Sequence, residues 1–151
     1  MLDDQSRNLL RHLQNDPECP VAELANRAGM TPVTAARRLE KLTRQKVIKG
    51  QHAVIDWSAL GYSVGVSLRF TLDKTASRAF DEFLEKARKI PEVVEIQTFL
   101  GRVDVRLSVI ARDMAHYQEI YRSRILMLPH IAELEALMHI ASIKTAKALP
   151  L

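Results

Sequence analysis

The sequence predicts an α+β chain in two parts, an N-terminal helix-turn-helix unit with a winged-helix-like end and a C-terminal unit of order βαββαβ. Three observations predict it. Apolar residues recur at helical spacing up to about Gln45, with Gly29 interrupting them. From Val64 the apolar period shortens to two, the spacing of a strand with one face buried. Residues 31–50 also concentrate positive charge, while 47% hydrophobic residues over 151 positions suffice for packed cores.

In the first part, Leu9, Leu10 and Leu13 share a helical face behind Asp3, a good N-cap, and Asp16-Pro17 stops the helix. A second short helix fits Val21 to Ala28, ended by Gly29. Thr31 caps a third, with Pro32 in its first turn, where the missing N–H costs nothing. This third helix runs to about Gln45. Val47 to Ile55 is rich in β-formers and predicts a short strand or wing leaving the first domain. The expected organisation is residues 1–50 as the helix-turn-helix domain, 51–62 as a linker strand or hinge, and 63–151 as the second domain.

In the second part, Val64, Val66, Leu68, Phe70 and Leu72 alternate with small or polar residues as a half-buried strand. Ala76, Phe80, Phe83, Leu84 and Ala87 then mark an amphipathic helix ending near Pro91. A hairpin follows: Val94, Ile96 and Leu100 lead to a tight turn at Gly101-Arg102, and Val103, Val105, Leu107 and Val109 return. Met114 to Pro129 predicts another helix, and Leu134 to Ile143 a last strand. This order is the ferredoxin-like unit. The last strand is apolar on both faces, and helices cover only one face of so small a sheet, so its other face is expected to meet a second copy of the chain.

The charge pattern points to a partner. Residues 31–50 hold Arg37, Arg38, Lys41, Arg44, Lys46 and Lys49 against Glu40 alone, a surplus larger than the net +4 of the whole chain. On the third helix, Ala35, Ala36, Leu39 and Leu42 fall on one face. Val33, Thr34, Arg37, Arg38, Lys41 and Arg44 fall on the other. After a helix and a tight turn, a helix with short uncharged side chains at its start and single-signed charge beyond suits the major groove of double-stranded DNA. Val33, Thr34 and either Arg37 or Arg38 are candidates for base edges, Lys41, Arg44, Lys46 and Lys49 for phosphates, and Thr31 is a further DNA-binding candidate at the helix start.

Other chemistry is thin. The five histidines are dispersed, Cys19 has no second thiol, and no phosphate-binding or nucleophile motif occurs. No catalytic residue, metal site or cofactor is expected. No apolar run reaches the roughly 20 residues of a membrane helix, and the acidic start is unlike a signal peptide, so a cytoplasmic protein is expected.

The chain resembles the Lrp/AsnC family of feast/famine regulators over nearly its whole length. The resemblance rests on Leu2-Asp3, Asn8-Leu9-Leu10, Glu23-Leu24-Ala25, Arg27-Ala28-Gly29, Thr31-Pro32, Arg38-Leu39, Val47-Ile48-Lys49-Gly50, Leu60-Gly61, the G-x-x-D pair Gly101 and Asp104, and Leu128-Pro129. It implies a transcriptional regulator that reads DNA through its helix-turn-helix and forms homodimers through the second domain, often building octamers. It further implies a small-molecule effector, usually an amino acid, near the G-x-x-D hairpin, which puts Gly101 and Asp104 on matched positions and Leu100 and Arg102 beside them. Lys46 stands where glycine often ends the third helix. Two other readings compete: a sirohaem-decarboxylase-like enzyme of the same architecture, which needs no basic recognition face, and a low-specificity nucleoid-architectural protein.

Overall fold

The computed structural model describes residues 2–143 and 148–151. They fall into two units, one drawn from 1–54 together with 143–151, the other from 55–142. The described end of the chain groups with the first unit. Two side chains of the first helix hold it there. The Gln14 amide donates to the Leu149 carbonyl and accepts the Leu149 N–H, both at 2.8 Å, and Arg11 Nε donates to the Leu151 carbonyl at 2.7 Å.

The first unit contains three helices, α1 (Asp4–Asn15), α2 (Val21–Arg27) and α3 (Pro32–Arg44). Asp3 caps α1 by accepting the Ser6 N–H at 2.7 Å. Pro20 gives α2 no side-chain cap, whereas Thr31 caps α3. Leu9, Leu24, Ala25, Ala28 and Ala35 form the core between the helices, flanked by Leu13, Met30 and Leu39. Asn8 Nδ2 donates to the Ala28 carbonyl at 3.2 Å and ties α1 to the end of α2.

Helices α2 and α3 end alike. After α2, Met30 N–H returns to Ala25 O and Gly29 N–H to Asn26 O; after α3, Val47 N–H returns to Leu42 O and Lys46 N–H to Thr43 O. Both are Schellman caps, which need one residue in the left-handed region. Gly29 supplies it at φ 69° and Lys46 at φ 57°.

The expected wing is absent. Among the described residues, 47–56 form no strand, and Val54 and Ile55 are exposed. Their β-propensity is satisfied only against a neighbouring strand, and none of the described strands pairs with this segment. A short 3₁₀ turn, Ser58–Leu60, precedes the second unit's sheet.

That sheet has strands β1 (Val64–Leu72), β2 (Val93–Thr98), β3 (Val105–Ala111) and β4 (Ile131–Met138), ordered β2-β3-β1-β4. All neighbours pair antiparallel. With helices α4 (Ala79–Ala87) and α5 (Met114–Ile120) this is the expected ferredoxin-like arrangement. Val66, Leu68, Phe70 and Leu72 of β1 and Val105, Leu107 and Val109 of β3 meet Phe83, Ala87, Tyr117 and Ile120 from the helices. Phe70 and Phe83 make an edge-to-face pair at 4.9 Å. A single π-helical turn, Tyr121–Ile125, prolongs α5.

Strand β4 begins and ends earlier than expected. Its last partner on β1 is Val66, opposite Met138, and Ile140 beyond it is exposed. Residues 139–143 lie in no strand. On the face turned away from the helices stand Ser67 and Arg69 of β1, Arg106 of β3, and Glu135 and Leu137 of β4. No helix among the described residues is long and apolar enough to cross a membrane.

Candidate functional site

Thr31 and Pro32 fix the start of α3. The Thr31 hydroxyl accepts the Thr34 N–H at 3.3 Å and lies 2.8 Å from the Thr34 hydroxyl, so the two threonines form one polar knot at the helix entrance. Val33 follows, 80% exposed although apolar. Arg37, Lys41 and Arg44 continue its stripe at helical spacing, all exposed, and Lys49 is exposed beyond the helix end. Among the described residues none of these four cations is in an ion pair. On the opposite side Ala35 and Leu42 are buried and Leu39 half-buried, while Ala36, expected to pack with them, is exposed. It sits at the edge of the stripe, next to Arg37.

Arg38, expected beside Arg37 on the outward face, has partners within the unit. Its Nη1 donates to Asp3 Oδ1 at 2.9 Å, Asp3 Oδ2 at 2.8 Å and Ser6 Oγ at 3.0 Å, and its Nη2 donates to Gln5 Oε1. The guanidinium thus points at the first turn of α1 rather than outward with Arg37. Hydrogen bonds from Arg38, then those from the Ser6 backbone and side chain, hold the Asp3 carboxyl well below the usual carboxylate range.

The β2–β3 hairpin separates its four expected residues. Leu100 is fully exposed, and the Arg102 side chain is 89% exposed, 3.7 Å from Glu133. Gly101 has open space where a side chain would stand. Asp104 is buried instead, with Oδ2 accepting the Leu72 N–H at 2.9 Å and Oδ1 2.7 Å from Lys74 Nζ. Burial opposes its charge, but the Lys74 ammonium and the Leu72 N–H outweigh this, and its carboxyl titrates below the ordinary range. Beside the hairpin, an open concavity of about 710 Å³ is lined by Arg69, Thr71, Arg102, Val103, Glu133, Leu134 and Glu135. Sequence reasoning missed Arg69, Glu133 and Glu135, which strand pairing alone brings beside Arg102.

No cluster of His, Cys, Asp or Glu among the described residues is arranged to hold a metal ion. What the geometry offers is one outward cationic stripe on a well-capped helix and a solvent-facing charged hollow on a sheet.

Residues 2–43 match the profile of the AsnC-type helix-turn-helix domain, and residues 66–149 that of the Lrp/AsnC ligand binding domain. The chain belongs to the Lrp/AsnC family. It is 30% identical over 132 residues to the proline dehydrogenase transcriptional activator of Rhodobacter capsulatus, covering 87% of this chain and 86% of that one. It is 28% identical to the leucine-responsive regulatory protein of Escherichia coli K12, covering 98% and 90%. Among solved structures, an AsnC family transcriptional regulator from Agrobacterium tumefaciens superimposes with a TM-score of 0.89 at 29% identity, covering 99% and 97%. A regulator from Neisseria meningitidis in complex with L-methionine shares the fold, with a TM-score of 0.91 at 22% identity, covering 99% and 97%. This Lrp/AsnC chain is accordingly a DNA-binding transcriptional regulator, built from a helix-turn-helix domain and a ligand-binding domain.

Proposed function

We propose that this regulator binds duplex DNA in a sequence-specific way through the outward stripe of α3, and that an amino acid acting on its second domain controls that binding. The observation that carries the proposal is the pairing of an exposed Val33 with unpaired Arg37, Lys41 and Arg44 along one line of a capped helix. Val33, Thr31 and Thr34 at the helix entrance are short enough for base edges to come close. Arg37 presents a bidentate fork suited to guanine, and Lys41, Arg44 and Lys49 supply charge to phosphates.

The amino-acid reading is supported by the ligand-binding profile, by relatives named for leucine response, and by the neighbour solved with L-methionine. Arg102 and its neighbours Arg69, Glu133 and Glu135 supply both signs of charge beside the hairpin, as a zwitterion requires. Leu100 and Gly101 are the remaining hairpin candidates, and Asp104 acts on the site by fixing the hairpin to β1. Self-association through the uncovered face of the sheet, giving homodimers and then octamers, completes the proposal. It places two α3 helices on one partly palindromic site.

Selection of genomic fragments bound by the full chain, with and without each of a panel of amino acids, tests both halves. The expected result is one enriched palindromic motif whose occupancy shifts with a particular amino acid. A flat fragment profile would instead support the architectural reading, and a profile indifferent to every amino acid would remove the effector.

A further inference from the structure

Arg37 and Arg38 are adjacent, equally charged and on the same helix, yet they face different partners. Arg37 follows Val33 at one helical turn and precedes Lys41 by another, on the exposed line. Arg38 falls three residues after Ala35 and four before Leu42, both buried, and so lies at the margin of the packed side. Four acceptor atoms, all from the cap and first turn of α1, surround its guanidinium. The Arg38 side chain is only 24% exposed.

We propose that Arg38 is a positioning residue, which sets the rotation of α3 against α1 through Asp3 and thereby determines how accurately Arg37 and Val33 meet the bases. This rests on α3 being the reading helix. Asp3 is the hinge of the arrangement: the carboxylate that caps α1 through the Ser6 N–H also accepts, with both oxygens, from Nη1 of Arg38, 35 residues along the chain. One group therefore fixes where α1 starts and how α3 is turned. A guanidinium has its N–H groups in a rigid plane, so three oxygens on Nη1 and one on Nη2 define an orientation that a lysine ammonium cannot. For Arg38 to reach a phosphate it would abandon all four acceptors and leave the Asp3 carboxylate unpaired close to the DNA.

The test compares Asp3→Asn, Arg38→Ala, the double variant and Arg37→Ala in the full chain, on a duplex carrying the selected site and on a scrambled duplex, across a salt series. Asparagine caps a helix as well as aspartate, so Asp3→Asn removes the ion pair and one of the two oxygens that Arg38 Nη1 uses, and keeps the cap. Both single variants are expected to lower the ratio of specific to scrambled affinity roughly tenfold, with the salt slope unchanged and the double variant no worse than either single. Arg38→Ala lowering the slope by about 0.9, with Asp3→Asn binding as well or better, would make Arg38 a phosphate contact and overturn the proposal. Additive losses in the double variant would overturn it too. If Arg38→Ala fails to fold, Arg38→Lys keeps the charge and loses the fork, and an unchanged ratio there counts against the clamp. Arg37→Ala separates the two levels: if it lowers the ratio while the clamp variants do not, positioning alone fails, and if it too leaves the ratio intact, the reading helix itself is wrong.

Discussion

Periodicity puts Arg37 and Arg38 a hundred degrees apart on one helix and sets Arg38 nearer the packed side, but nothing in the α3 sequence names a partner for it. The distinction comes from Asp3, legible as an N-cap but not as a partner of a residue in another helix. The pairing has a pH signature. Because the folded Asp3 carboxyl titrates below its ordinary value of 3.8, the unfolded chain binds more protons as that value is approached. The stabilisation from the pair is complete above that value and disappears as pH falls through and below it. Thermal unfolding between pH 6 and pH 3 should therefore show a shallower acid loss in Asp3→Asn than in the parent chain. Asp104 was legible as part of a motif but not as a buried staple. Asp104→Ala should cost about 1–3 kcal/mol in denaturant unfolding, since it strands the Leu72 N–H away from water. Removing the exposed partner Lys74 leaves the buried Asp104 carboxylate without its ammonium, so Lys74→Ala should destabilise the unit as well.

The elements whose stability is local were readable in advance. Strand β1 carries its alternation from Val64 to Leu72, and α1 and α3 carry their caps in Asp3 and Thr31. Elements that depend on a distant neighbour were not. Val47 to Ile55 has the composition of a strand and no partner, while β4 stops where β1 runs out. The π-helical turn after α5 has no periodic signature at all. Lys46 shows how a local rule survives an unfavourable residue: the cap of α3 forms with lysine in the left-handed conformation that Gly29 adopts after α2. Replacing Lys46 by glycine should raise the unfolding free energy by about 1 kcal/mol by removing that cost. A thermal midpoint unchanged or lowered would show that lysine carries no such strain.

At the scale of the molecule, the helix-turn-helix unit and the ferredoxin-like unit were both legible from the switch in apolar period, and the family profiles match along both. The seat of residues 149–151 on α1 was not, because Gln14 and Arg11 give no hint in sequence of the backbone they bind. Assembly belongs to this scale as well. Light scattering should give the mass of a dimer or a multiple of it, and Leu137→Asp, on the uncovered face of the sheet, should shift the chain toward monomer. The central claim is that α3 reads sequence through Arg37 while the outlying cations supply charge. The most direct measurement is the affinity of Arg37→Ala and Lys49→Ala for the selected duplex and a scrambled one over a salt series. The account predicts that Arg37→Ala costs about 1–3 kcal/mol on the selected duplex with little change on the scrambled one. It predicts that Lys49→Ala weakens both alike and lowers the salt slope by about 0.9. Equal losses on the two duplexes for Arg37→Ala would contradict it.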